Sequence, residues 1–281
     1  MLRLLQSLLC QTMPRERFEV IVVENGSAQL SDIGAMSPDL VLYVHRTAAN
    51  MAAARNAGLS VASGKYVVFT DADCVADPAW LEELVKALEE GRHAAVGGRI
   101  EKFEPTTWTQ RHGMTIVGGQ LTLNYLPATG MPYVVGANAG FVAAAVRDVG
   151  GFDERFLSGN DVDLCYRLGL KGLRVGLAPG AVVYHEDRRG IGAHFHRFRH
   201  YAVYQVLLFA KYRHVSGRRF VLNPYPAKRL AQAISALPRA TAALCHGNAD
   251  DGMETVLVLV EAAGIWCGDI QGSIHFRQLY L

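Results

Sequence analysis

The sequence predicts an α/β domain whose mostly parallel sheet is covered by helices on both faces, followed by a helical tail. Two patterns carry that reading. Short, fully apolar, β-branched runs alternate with helix-like segments through the first half of the chain, the signature of strands buried on both faces. Past about residue 190 the strand signals stop and helical patterns joined by polar loops take over.

The elements follow in order. Leu2–Leu9 reads as a helix; no small-residue cleavage site follows it, which separates it from a signal peptide. Phe18–Val23 is an apolar strand ending in Glu24-Asn25-Gly26-Ser27, and Asp39–Val44 is a second strand. Asn50–Ala62 is Ala-rich and helical. Tyr66–Phe69 is a short buried strand that ends at Asp71-Ala72-Asp73. Pro78–Glu90 is an amphipathic helix with Pro78 at its opening turn and Gly91 as its stop. His93–Val96 is a further strand. Ile100–Val135 is less regular and reads as an insertion or lid, with Trp108 and Tyr125 available for stacking. Ala137–Val142 is a strand, Ala143–Val149 and Val162–Leu168 are helices, and Leu173–Leu177 and Ala181–Tyr184 are two short strands. Arg188–Arg199 is rich in Arg and His, Tyr201–Tyr212 is an amphipathic helix, and Pro226–Leu281 forms the remaining helices. The boundary falls at residue 190, giving domains 1–190 and 191–281.

The 281 residues are 50% apolar and 19% charged, enough for one sizeable core and a smaller appendage. A formal net charge of +2 gives no case for nucleic acid as a partner. No apolar run reaches the roughly 18 residues of a spanning helix. Five scattered cysteines, an odd number, show no zinc spacing and read as reduced thiols. The expectation is a cytoplasmic protein.

In open α/β sheets ligands bind beyond the carboxyl ends of the strands. Glu24-Asn25 and Asp71-Ala72-Asp73 both lie there. Two carboxylates on a rigid strand end can gather a divalent cation that binds a diphosphate; an Asx turn that stops the strand explains them equally. Arg55 suits bidentate phosphate contact, or is an exposed helical arginine. Ser158 or Asn160 can cap a helix whose first turn holds Asp161 and Asp163, favourable against the helix dipole. Alternatively Asp161 points into a cleft and takes a proton from an attacking hydroxyl. His185 ends a strand, as a structural residue or a ligand.

Taken together, Phe18–Ser27, Asn50–Gly58, Lys65–Asp73, Gly136–Phe156 and Asn160–His185 resemble glycosyltransferase family 2, over residues 1 to about 200. The resemblance implies a GT-A fold and a nucleotide-sugar donor. It places Glu24 and Asn25 against the donor base and ribose, Arg55 near the base or diphosphate, and Asp71 at the ribose and metal. Asp73 becomes the principal metal ligand, His185 completes the metal site, and Asp161 is the catalytic base. The cofactor is then Mn2+ or Mg2+. The reaction is inverting transfer of one sugar to a glycan, lipid or small-molecule acceptor.

Three departures from the family pattern stand out. The chain begins at Met1 in what resembles the helix after the family's first strand, so that strand, which supplies part of the nucleotide pocket, is expected to be missing. Asn160 stands where the family usually has Glu. No Gln-x-x-Arg-Trp sequence follows, which argues for single-sugar transfer over processive synthesis. The first two departures support a second reading, a non-catalytic sugar-nucleotide-binding or scaffold protein. A nucleotidyltransferase would need a Gly-rich, Lys/Arg-bearing phosphate loop, and none is present in the sequence.

In the tail, His194, His196 and His200 with Arg197 and Arg199 suggest a metal or phosphate patch. They fit as well a basic amphipathic helix that packs Phe195, Phe198, Tyr201 and Tyr204. The functional form of the second reading is peripheral contact with the anionic inner face of a membrane.

Overall fold

A computed structural model describes residues 1–25, 40–45, 50–112, 124–125, 130–217, 219–246 and 249–281. The chain divides into two units, Met1–Glu101 with Ile116–Leu126 and Met131–His185, and Lys102–Thr115 with Pro127–Gly130 and Glu186–Leu281.

The first unit opens with α1 (Leu2–Leu9), β1 (Val20–Asn25), β2 (Leu40–His45), α2 (Met51–Val61), β3 (Tyr66–Thr70), β4 (Cys74–Ala76) and α3 (Trp80–Glu89). β5 (Ala95–Lys102) follows, then the two-residue strands β6 (Asn124–Tyr125) and β7 (Pro132–Tyr133), β8 (Asn138–Val142), α5 (Ala143–Asp148), α6 (Asn160–Leu170) and β9 (Val175–His185); α4 (Trp108–His112), which falls between β5 and β6 in the chain, belongs to the second unit. β3, β8, β5, β9 and β4 form one sheet in that order, while β1 and β2 pair separately.

The expected α/β class is present, with helices on both sheet faces. Val67, Ala139, Phe141 and Ala95 pack with Ala52 and Leu59 of α2 and Leu164 and Leu168 of α6. The opposite face, with Val96, Ala178 and Val183, packs on Trp80, Leu84 and Leu88 of α3. Strand direction needs correction. β1 and β2 are parallel, but β3 with β8, β5 with β8 and β4 with β9 are antiparallel. A fully apolar strand reports burial on two faces and says nothing of direction.

Other boundaries shift for identifiable reasons. The strands expected at Leu173–Leu177 and Ala181–Tyr184 are one, β9, which exposes Pro179 and Gly180 at its middle. The strand expected to stop at Val96 runs on through Gly97-Gly98 to Lys102. There the glycine serves close packing, because a Cβ on Gly98 would collide with the Ala181 carbonyl and the Asn138 amide. Of the second strand, Asp39 lies outside the described residues. So does much of the expected lid, including 113–123 and 126–129.

In the second unit α7 (Ile191–Ser216) absorbs both the Arg/His-rich stretch and the expected Tyr201–Tyr212 helix; α8 (Tyr225–Cys245) and α9 (Ala249–His275) follow. α9 meets α7 through Gly264, Gly268 and Gly272, which lie against Phe195, Ala202 and Val206. Among the described residues no helix is long and apolar enough to cross a membrane. All five cysteines are free thiols.

Candidate functional site

The site is built around Arg55. Asn50 caps α2, its Oδ1 accepting the Ala53 N–H at 3.1 Å. The Asn50 N–H donates to Asn25 Oδ1 at 2.9 Å, tying the start of the helix to the end of β1. One turn on, Arg55 is 10% exposed. Its Nη1 donates to Asn160 Oδ1 at 2.7 Å and its Nη2 to Asp71 Oδ1 at 3.4 Å. The guanidinium carbon stands 5.7 Å from the Phe69 ring centroid and 5.6 Å from that of Phe152, within cation–π range of both. Gly136 makes room for it, since a Cβ there would lie 2.5 Å from Nη1.

The acidic helix α6 begins differently from expectation. Neither Ser158 nor Asn160 caps it: the cap is Gly159 in the left-handed region at φ 71°, where glycine carries no steric cost. Asn160, 1% exposed, is thereby released to bind Arg55. Asp161 Oδ2 accepts the Gly136 N–H at 2.6 Å and Oδ1 accepts the Val162 N–H at 2.9 Å. Each carboxylate oxygen has two acceptor positions, so capacity to accept a proton remains. Asp163 is fully buried and binds Arg167 Nε at 2.8 Å, a structural ion pair. Tyr133 lies nearby; burial, and then the Asp161 charge, push its phenol up to about 12.

Asp73 and His185 meet at the β4 end of the sheet. His185 Nε2 is 3.4 Å from Asp73 Oδ1; the imidazole is 6% exposed and the carboxylate 50%. Cys74 pairs with His185 in the ladder, and one ligand atom from each of Asp73, Cys74 and His185 lies within 4.8 Å of the others. Burial pushes the Cys74 thiol up to about 12, with the Asp71 and Asp73 charges acting in the same direction. Its soft sulfur is in any case a poor ligand for a hard cation. A carboxylate in the turn before β4 and an imidazole at the end of the paired strand β9 are a donor set that Mn2+ or Mg2+ accepts.

The structure thus brings Arg55, Asp71 and Asp161 together, and separately joins Asp73 to His185. The turn between Asp71 and Cys74, closed by a 3.0 Å hydrogen bond from the Cys74 N–H to the Asp71 carbonyl, connects the two groups. Glu24 lies half-buried in β1. Sequence reasoning missed three contributors. One is Asn160 as the partner of Arg55, and another is the Gly136 N–H on Asp161. The third is Asn56, whose amide exchanges hydrogen bonds of 2.7 and 2.9 Å with the Phe152 backbone and holds that loop against α2. An asparagine directly after Arg55 in an Ala-rich helix was the one available signal. In the tail, Arg197 is buried in a 2.7 Å pair with Asp187, so it adds nothing to a surface basic patch. His194 is buried, and its imidazole is held below the usual histidine range by burial and then by Arg197.

Comparison with known proteins adds an independent line. Residues 1–150 match the model of glycosyl transferase family 2. The pre-mycofactocin glycosyltransferase of Mycobacterium tuberculosis is 36% identical over 176 residues, covering 60% of this chain and 37% of that protein. The glycosyltransferase AglE of Haloferax volcanii is 27% identical over 198 residues, 66% of this chain and 62% of its own length. The chain thus spans little more than a third of the first of these relatives. Among solved structures, the mannosyltransferase PcManGT from Pyrobaculum calidifontis, in complex with GDP-Man and Mn2+, superposes with a TM-score of 0.60 at 21% identity. That match covers 94% of this chain and 81% of that one. S. aureus TarS 1-349 in complex with UDP-GlcNAc gives 0.54 at 17% identity, over 99% and 88%. At these identities the likeness is one of fold, and the fold is GT-A.

Proposed function

The chain belongs to glycosyl transferase family 2, and on that footing we propose that it transfers one sugar from a nucleotide-diphosphate donor to an acceptor hydroxyl, inverting the anomeric carbon. The observation that carries this reading is the Arg55 guanidinium held between Asp71 and Asn160, with Asp161 as the next residue along α6. A phosphate-matching cation and a carboxylate of proton-accepting capacity share one rim of the domain.

In the proposed step the acceptor oxygen forms a bond to the anomeric carbon as the bond from that carbon to the diphosphate oxygen breaks. Asp161 takes the hydroxyl proton, a contribution of ~10²–10⁴-fold for a positioned base. Arg55 faces the diphosphate, which leaves with the bonding electron pair. Its neutral partner Asn160 offsets none of its charge, and among the described residues the carboxylate paired with the guanidinium is Asp71 at 3.4 Å. Glu24, Asn25 and Asp71 line the approach to the base and ribose. Asp73 and His185 would hold Mn2+ or Mg2+, which when bound supplies neutralisation of the leaving diphosphate.

A second reading, a sugar-nucleotide-binding module without turnover, is favoured by one observation. Both Asp161 oxygens accept backbone N–H groups, which gives that side chain a purely structural use. A screen of nucleotide sugars with Mn2+ or Mg2+, scored for donor binding and donor hydrolysis, separates the two. Hydrolysis of at least one donor supports transfer; tight binding with no turnover of any donor and acceptor supports the module.

A further inference from the structure

Arg197 near the start of α7 is buried, but Arg213 and His214 in its last turn are exposed. Together with Gly217 and Arg219 they line a cavity of about 440 Å³, within the ~300–1,000 Å³ range of small-ligand sites. Gly217 ends the helix in the left-handed region at φ 68°, which turns the chain back and lets Arg219 reach the cavity that Arg213 lines. Gln278, itself 6% exposed, fixes both sides. Its Oε1 accepts from Arg213 Nη1 at 3.0 Å, and its Nε2 donates to the Arg219 carbonyl at 2.9 Å. Cations in a last helical turn answer the helix dipole, which accounts for Arg213 and His214. It does not account for Arg219, which follows the cap.

The neighbouring segments are poor in acid. Residues 211–224 and α8 contain none. Of the acids in α9, Asp250, Asp251 and Glu254 stand in the first two turns, ~30 Å along the axis from His275, and Glu261 and Asp269 are buried. An apolar face adjoins the cations. Val221 and Tyr280 pair as a parallel bridge and both are buried. Successive side chains of an extended segment point to opposite faces, so Phe220, Leu222 and Leu279 turn to solvent together, at 55%, 69% and 51% exposure.

We propose that this end of the second unit docks on the phosphate headgroups of an anionic bilayer. Arg213, His214 and Arg219 take the phosphate oxygens, and Phe220, Leu222 and Leu279 enter the boundary between headgroups and acyl chains. A soluble phosphate would satisfy the cations and leave those three apolar side chains in water. A second copy would set the same cations against each other across a two-fold axis. The proposal rests on the second unit alone and is independent of the transfer reading.

The test is co-sedimentation of the whole chain with vesicles of phosphatidylcholine, with and without phosphatidylglycerol. Binding should require phosphatidylglycerol and weaken as salt rises. Arg219→Glu should lower the partition constant at least about tenfold, and Leu222→Ser about fivefold or more. Arg239→Glu makes the same charge change ~20 Å along α8 from Tyr225. That is beyond the ~8–10 Å screening length, so its partition should stay within about twofold of wild type. All three side chains are exposed, and thermal melts check that the variants remain folded. Equal binding to phosphatidylcholine vesicles, or equal partition of Arg219→Glu and Arg239→Glu, overturns the proposal. So does competition by inorganic phosphate beyond that of chloride at equal ionic strength, with Leu222→Ser unaffected, which would make the ligand a soluble anion. Pelleting without vesicles that rises with protein concentration also overturns it, making a second copy the partner.

Discussion

Arg55 Nη1 donates to Asn160 Oδ1 at 2.7 Å, so the cation nearest the proposed diphosphate is anchored by a neutral amide. Two substitutions separate anchoring from charge. Asn160→Ala removes an acceptor from a buried guanidinium, at a cost of ~1–3 kcal/mol, so the melting temperature and donor affinity should fall together. Asn160→Asp supplies a charged acceptor, so the melting temperature should hold or rise while donor affinity falls. Thermal melts beside nucleotide-sugar titrations read both; unchanged donor affinity in both variants would remove Arg55 from the donor site.

Gly136 leaves room for that guanidinium. Gly136→Ala places a methyl group where Nη1 stands, 2.5 Å away, and overpacking of this kind costs ~1–3 kcal/mol. Because the backbone N–H to Asp161 is retained, the expected result is weaker donor binding with Asp161 still in place. Donor titration and a crystal structure of the variant check this.

The cation reading makes a direct claim on two side chains. Asp73→Ala and His185→Ala should each weaken Mn2+ binding about tenfold or more, as loss of one ligand from a small donor set does, measured by electron paramagnetic resonance of free Mn2+. Cys74→Ser should leave Mn2+ affinity near the wild-type value, since a hard cation prefers oxygen and imidazole donors to a thiol. A large loss in Cys74→Ser alone would reassign the site.

The second unit carries its own pH response. Burial raises Asp269 to about 7 in the folded chain, from an ordinary value of 3.8. Its Oδ2 accepts from Asn223 at 3.0 Å, and its Oδ1 is buried without a partner among the described residues. Between those two pKa values the folded state binds more proton than the unfolded state, so this group's contribution to stability falls as pH rises from about 4 through about 7. Asp269→Asn removes the response. Denaturant unfolding at pH 5 and pH 8 should show a smaller loss of stability in Asp269→Asn than in the wild-type chain.

Much of the fold was legible because it rests on burial, and burial leaves a hydropathy pattern. α1, α2, α3 and α5 fall within two residues of the helices that their apolar spacing predicts. The misreadings have local causes. Pro179-Gly180 looked like a break, yet both lie exposed at the middle of β9. The strand expected over His93–Val96 continues because Gly98 sits where close approach of Ala181 and Asn138 requires a residue without Cβ, a tertiary contact that hydropathy does not show. Strand direction was illegible, because hydropathy carries no vector. In the site, acids and cations announce themselves by residue type, which is why Asp71, Asp73, Asp161 and Arg55 stand out as candidates in the sequence. The Gly136 N–H and the neutral Asn160 partner were not, because a backbone donor has no residue signature and a glycine cap left an asparagine free for a contact 105 positions away.

The most direct measurement of the central claim is Asp161→Asn, read for donor binding and for transfer on the same preparation. The amide keeps the side-chain shape and can still accept the Gly136 N–H, so donor affinity should remain within about twofold, while transfer should drop ~10²–10⁴-fold. Transfer at the wild-type rate would contradict the account, leaving Asp161 a purely structural carboxylate.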